Sequence, residues 1–360
     1  MIVVVGAGVA GAATAFALAR RGAEVGVVDA GLAGQATAAG AGIVQPWSTS
    51  AGGAFYELYA AGAAYYPQLI ERLAEVGVDD IGYRRSGGLV VNRDDRILDG
   101  VEQRVTGRIG ADGVTRVSST EARALFPPLA PGLDGLLIEA GARVDGRALR
   151  DGLLAGARRL GARMLDPARV TLEPARPGSR GGRGWSLLLD GVPTPADGVV
   201  VASGAWTDTV LKPLGVRSGV EPQRGQIVHL RLEGLETAGW PSVLPVEDHY
   251  LVAFGGGRIA AGATRETGSG FDPRVTAGGL KHVLDRALAL APGLADATLI
   301  EARVGLRPLP DGDLPTVGPV DGFDGLFVNA GFGACGLTMG PVAGERLAER
   351  ILTGGAPAVD

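Results

Sequence analysis

Residues 2–11 read IVVVGAGVAG, and the reading of this stretch decides the fold. Ile2 to Val5 is a short apolar, β-branched run, the signature of a strand buried on both faces of a parallel sheet. Gly6, Gly8 and Gly11 follow at once in the spacing of a dinucleotide-binding turn. Ala13, Phe16, Ala17 and Arg20 then recur at helical intervals, and Gly22 suits the stop. A second apolar run, EVGVVD over residues 24–29, ends in Asp29. Each part has a physical task. Gly6 permits the tight turn, Gly8 lets a pyrophosphate touch backbone, and Gly11 lets helix pack closely on strand. The helix N-terminus offers N–H groups and a partial positive charge to phosphates. Asp29 is expected to accept from ribose hydroxyls and to disfavour a 2′-phosphate. A bare GxGxxG is weak in a chain with 60 glycines; here it comes with both strands, the helix and the acid. The turn is read as a dinucleotide site, with NAD and FAD both open at this point.

Composition narrows the field. At 360 residues the chain suits two domains or one large α/β domain, and 46% hydrophobic residues supply ample core. Its 60 glycines far exceed the ordinary ~7% and show no collagen-like period; they cluster between apolar runs, as tight turns and close backbone approaches do. A net charge of -5 leaves no basic footprint for nucleic acid. One cysteine excludes a disulfide framework and suits a reducing cytoplasm, the expected location. The apolar start lacks the basic leader of a signal peptide, and no other run approaches the ~20 apolar residues of a membrane span. Three scattered histidines and one cysteine make no metal constellation, and no Ser/His/Asp arrangement is visible.

Three further segments bear on the cofactor. GLAGQATAAGAGIVQP (31–46) is too long and too rich in small residues for an ordinary strand connection. DGVVVASGAWTD (197–208) runs a strand into Ser203, Gly204, Ala205 and Trp206, and GLFVNAGFGACG (325–336) runs another into glycines before a final helix. A simple NAD domain needs only the first fingerprint; a larger cofactor needs backbone brought close from several places. With SGGLVV, GARVDGRAL, PQRGQIV, GLRPLPDGDLPTVGP and the closing GFGACGLTMGP, nearly the whole chain resembles the FAD-dependent D-amino-acid oxidase superfamily, most closely its glycine oxidase and D-amino-acid dehydrogenase branch.

The resemblance implies a Rossmann-like α/β FAD-binding domain interleaved with an α+β substrate domain on an antiparallel sheet. FAD-binding pieces are expected at 1–82, 143–220 and 301–360, and substrate-domain pieces at 83–142 and 221–300. Asp145 is expected to cap a helix bearing Leu149, Leu153, Ala157 and Leu160, and Ser118 with Glu121 to form a capping box. Residues 174–184 read as a solvated turn. The resemblance also implies non-covalent FAD held by Gly6, Gly8, Gly11, Asp29, Ala39 and Gly40, with Gly42, Ile43 and Val44 along the flavin ring and Val170 at the adenine. Gly204 and Trp206 are then expected near the pyrophosphate and ribose, and Gly331, Gly333, Gly336, Leu337 and Thr338 in the closing loop. Arg307 would grip a substrate carboxylate through two parallel hydrogen bonds, with Tyr250 donating beside it. Strand alternation puts His249 on the face opposite Tyr250, as a structural residue. Cys335 reads as a small residue near the cofactor, and Pro341 as the start of the last helix, with Met339, Ala343, Leu347 and Ile351 on its apolar stripe. Phe332, Ala253 and Phe254 replace more polar residues of relatives, which implies a less polar pocket.

The expected reaction is oxidation of an amino acid or secondary amine at its C–N bond by hydride transfer to flavin, giving an imine that water hydrolyses to a 2-oxo acid. Oxygen or another electron acceptor would reoxidise the cofactor. A 2-hydroxy-acid dehydrogenase, a flavin subunit of a larger electron-transfer complex and a non-catalytic binder are the alternatives, and a homo-oligomer or a partner subunit stays open.

Overall fold

Ile2–Val5 lies inside a six-stranded sheet, between Gly198–Val201 and Val25–Val28, and runs parallel to both. The computed structural model describes residues 1–174, 184–246 and 249–354. Among these residues the sheet order is Thr316–Pro319, Leu326–Ala330, Gly198–Val201, Ile2–Val5, Val25–Val28, Arg163–Met164, and only the Thr316–Pro319 edge is antiparallel. Val4 turns to one face and packs with Phe16, Leu149 and Leu153 of the helices Val9–Arg20 and Gly146–Arg159. Val3 and Val5 turn to the other and pack with Leu172 and Leu187 of a three-stranded antiparallel meander, Val170–Pro174, Trp185–Leu189 and Val192–Ala196. Burial on both faces explains why the strands read as unbroken valine runs. The turn expected at 174–184 lies, between 175 and 183, outside the described residues.

A second sheet forms the part of the chain expected as the substrate domain. Among the described residues its order is Glu266–Thr267, Glu221–Arg231, Arg258–Gly262, Tyr250–Ala253, Ser242–Pro245, Gly88–Asn92, Asp134–Ile138, Thr115–Val117, and Thr298–Leu309 pairs with the long strand Glu221–Arg231. Val228, Leu230, Leu89 and Leu251 bury one face against Val283 and Ala287 of the helix Ala277–Leu290. From the long pair, Gly225, Ile227 and Arg307 look the other way, onto a cavity bordered by both sheets. The sheet is mixed, not wholly antiparallel: Ser242–Pro245 runs parallel to Gly88–Asn92. These strands arrive on separate passes of the chain, so no hairpin dictates their relative direction. The boundary expected at 300/301 falls inside Thr298–Leu309, so the change of sheet comes after Leu309.

Local signals place the helices. The Asp145 carboxylate accepts from the Arg147 and Ala148 N–H groups, and Ser118 with Glu121 forms the reciprocal box. The last helix differs from expectation: it spans Gly336–Thr353, so Pro341 sits inside it. Proline has no N–H, which leaves the Leu337 carbonyl without its helical donor. The buried Tyr66 hydroxyl donates to that carbonyl at 2.5 Å and replaces the missing bond. Tertiary structure therefore tolerates a proline that local rules assign to a helix start. Among the described residues, no helix is long and apolar enough to cross a membrane, and no cluster of side chains could hold a metal.

Candidate active site

The cavity between the sheets has a volume of about 1290 Å³, above the ~300–1,000 Å³ usual for a drug-sized ligand. Gly6, Gly8, Asp29, Ala39, Gly40, Gly42, Ile43, Val170, Gly204 and Trp206 lie on its wall, together with Gly331, Gly333, Gly336, Leu337, Tyr250 and Arg307. Three expected residues stand behind the wall, and Val44 is one of them, buried in the core beneath the first sheet. A Cβ on Gly11 would lie 1.9 Å from the Gly6 carbonyl oxygen, so its glycine serves helix–turn packing. The buried Thr338 hydroxyl donates to the Ile43 carbonyl at 3.0 Å and ties the closing helix to the short strand Ile43–Val44.

One end of the cavity is built from backbone. Gly6 has φ +106°, and a Cβ there would lie 2.4 Å from the Ala202 carbonyl oxygen; neither the conformation nor the space admits a side chain. Asp29, expected at a ribose, also shapes the turn. Its Oδ2 accepts from Ala7 N at 2.6 Å, and its Oδ1 accepts from Gly31 N at 2.7 Å and Gln35 Nε2 at 2.9 Å. Three of about four acceptor positions are thus spent on shaping the turn. Thr37 Oγ1 accepts from Val9 N at 3.0 Å at the head of the first helix. Ser203 Oγ, on the same wall, is buried without a partner. A glycine turn at a helix head, a carboxylate beside it and an orphaned hydroxyl fit the pyrophosphate and ribose of the implied FAD. Gln35, Thr37 and Ser203 were not singled out from sequence; the lone hydroxyl in the small-residue run 36–42 was the available signal for Thr37.

The other end is built from side chains seated on bare backbone. Arg307 faces Gln223 across the ladder, and its Nη1 donates to the Thr264 carbonyl at 3.0 Å and to Gln223 Oε1 at 3.3 Å. A Cβ on Gly225 would lie 2.5 Å from the guanidinium carbon, so the planar group rests on the strand where a side chain is missing. Tyr250 opposes Gly262 in the same manner: a Cβ there would come within 2.6 Å of the phenol oxygen. Gly225 lies inside its strand and Gly262 ends its own, positions where a missing side chain admits a close neighbour. Burial pushes the Tyr250 phenol up while the Arg307 and Arg265 guanidinium groups draw it back, so it remains a protonated donor at neutral pH.

Three expectations about the wall need correction. His249 precedes the strand, which begins at Tyr250, so alternation does not reach it. Its ring stacks on Tyr250 with centroids 6.3 Å apart and lies on the cavity wall, and its Nε2 is buried without a partner. Burial, aided by Arg286 and His282, pushes this imidazole down to about 4, so it is neutral at pH 7. Phe254 is not on the wall; Arg143 and Arg258 flank its ring at 4.6 and 4.0 Å. Ala253 is off the wall as well, whereas Phe332 lines it. Cys335 also lines it, and burial pushes its thiol up to about 11, which leaves almost no thiolate at neutral pH.

Comparison with known proteins agrees with this architecture. A family model described as FAD dependent oxidoreductase matches residues 1–350. The uncharacterized oxidoreductase YurR of Bacillus subtilis is 44% identical over 358 residues, covering 97% of this chain and 94% of that one. The glycine oxidase of Pseudomonas putida is 32% identical over 366 residues, covering 100% and 96%. Among solved structures, iminodiacetate oxidase from Chelativorans sp. BNC1 superposes with a TM-score of 0.94 at 46% identity, covering 100% of this chain and 97% of that one. Sheet order, cavity and these likenesses agree: the chain belongs to the DAO family of FAD-dependent oxidoreductases.

Proposed function

We propose that the protein oxidises an amino acid or secondary amine at the C–N bond, with Arg307 and Tyr250 as the residues that hold the acid group. The observation that carries this reading is the guanidinium of Arg307 laid on Gly225, beside Tyr250, in the cavity whose far end fits a dinucleotide. FAD, held non-covalently by the Gly6–Gly11 turn, Asp29, residues 39–43 and residues 331–337, would supply a two-electron acceptor for the hydrogen leaving the substrate carbon. The chain's own part is orientation. Arg307 would grip the carboxylate with paired N–H donors, and Tyr250 would donate its phenol proton to the same group. Neutral His249 beside them adds no competing charge, Ile227, Phe332 and Leu337 add apolar surface to the cavity, and the N–H proton of the neutral amine would pass to water as the imine forms. The substrate would leave as an imine that water hydrolyses to a 2-oxo acid.

Similarity to iminodiacetate oxidase supports, within this reading, a secondary amine with a carboxylate on each arm. Arg265, a second cation on the same wall and one that acts on Tyr250, supports a second acid group. The single buried thiol suits an enzyme of the reducing cytoplasm. The test is loss of flavin absorbance without oxygen across D-amino acids, N-carboxymethyl amino acids and 2-hydroxy acids. Bleaching by amines supports the proposal; bleaching by hydroxy acids alone overturns it in favour of a hydroxy-acid dehydrogenase. Peroxide yield in the same assay, in air, tells oxygen from another acceptor.

A further inference from the structure

We infer that Phe271 and Trp206 form an aromatic clasp that retains the nucleotide half of FAD, one jaw coming from each domain. Their rings lie 5.6 Å apart at 20°, and both border the cavity. Trp206 ends the short turn Gly204–Trp206 that follows the strand Gly198–Val201 of the nucleotide sheet. Phe271 belongs to the stretch between the strand Glu266–Thr267 and the helix Ala277–Leu290 of the other domain. Phe271 is 46% exposed. It lies outside every core cluster among the described residues, so packing does not account for it.

The stretch that carries Phe271 is tied down on both sides of it. Arg224 bonds Glu266 at 2.6 Å and Asp272 at 2.7 Å, and its backbone N–H donates to Ser269 Oγ at 3.2 Å. Gln226 exchanges bonds of 2.9 Å with the Thr276 hydroxyl and backbone N–H. Beneath it, Gly34 leaves room for Pro273: a Cβ on that glycine would lie 3.1 Å from the proline ring. The ring is therefore held out over the cavity by a fixed strap. Val210 and Pro213 continue the wall beside Trp206, and their segment packs on the strand that begins at Val170, the residue expected at the adenine. Rings 5.6 Å apart at 20° stack on each other and leave no room for a base between them, so the closed pair bars the apolar slot behind it, which suits a purine.

The clasp predicts a retention defect and nothing else. Diluted holoenzyme of Phe271→Ala should release FAD about tenfold faster than the unaltered protein, read as the rise of flavin fluorescence, because the aromatic pair that bars the slot is broken. Phe271→Tyr should stay within about twofold, since it keeps the ring. In excess FAD, the melting temperature and the substrate KM of both variants should match those of the parent. Unchanged release from Phe271→Ala overturns the clasp. So does a melting temperature lowered even in excess FAD, which would make the ring a prop of the fold. A changed KM with normal retention would move Phe271 to the reaction end and equally overturn it.

Discussion

The two ends of the cavity solve opposite problems. At the nucleotide end the chain removes side chains so that backbone can reach a ligand: Gly6 and Gly8 are bare, and Asp29 is largely consumed in holding the turn. At the reaction end it removes side chains so that other side chains can lie flat: Gly225 seats Arg307 and Gly262 seats Tyr250. Glycine serves as a contact surface in one place and as a mounting in the other. Loss of a glycine should therefore abolish cofactor binding at the first end and misplace a working cofactor's substrate at the second.

Gly6→Val is the most damaging test. Its Cβ meets the Ala202 carbonyl at 2.4 Å in a conformation valine avoids, so the protein should be purified colourless or insoluble. A yellow, reducible variant would break the comparison. Arg307→Ala should keep its FAD and its colour but lose about 100- to 1000-fold in kcat/KM for an acid substrate. Gly225→Ala sharpens the point, because Arg307 itself is intact. The added methyl would lie 2.5 Å from the guanidinium carbon and tilt the clamp, raising KM by about tenfold to a hundredfold with flavin content unchanged.

Acid titration probes the two buried imidazoles. His229 and His249 are both pushed down to about 4 by burial, against an ordinary value near ~6.5. The unfolded chain takes up these protons near pH ~6.5, whereas the folded chain refuses them until lower pH. The stabilisation is thus complete above ~6.5 and is lost as pH falls toward 4, with a slope approaching about two protons, measurable by denaturant titration at several pH values. His229→Gln should remove one proton from that slope and leave KM alone, while His249→Gln should remove one and shift KM as well. Cys335→Ala should have the smallest effect, within about twofold in kcat/KM, since the thiol is protonated and its sequence offers no second cysteine.

Legibility followed the same division. The nucleotide end rests on short-range spacing, so the glycine turn, its flanking strands and Asp29 could be read within the first thirty residues. The reaction end is assembled from strands at 221–231, 250–253, 258–262 and 298–309, and only the family resemblance pointed to Arg307 and Tyr250. The glycine seats were visible as glycines but not as seats, because what a missing Cβ makes room for depends on a partner strand. His249 was misplaced because alternation was extended one residue beyond the strand that enforces it. The start of the last helix was misplaced because a tyrosine 275 positions before Pro341 in the chain, Tyr66, supplies the bond that the proline cannot. Local rules hold until a distant side chain answers the same backbone group.

Sheet order has a consequence for how this molecule comes into being. Ile2–Val5 can meet Val25–Val28 soon after both are made, yet its other neighbour Gly198–Val201 comes much later, and the helix Gly336–Thr353 that packs on Val9–Arg20 later still. Until residue 201 is made, the nascent chain must carry one edge of the valine-rich strand Ile2–Val5 unpaired, shielded by whatever binds exposed apolar segments. Cofactor capture thus belongs to the completed polypeptide, and a chain truncated anywhere before residue 330 should be degraded as an unfinished product.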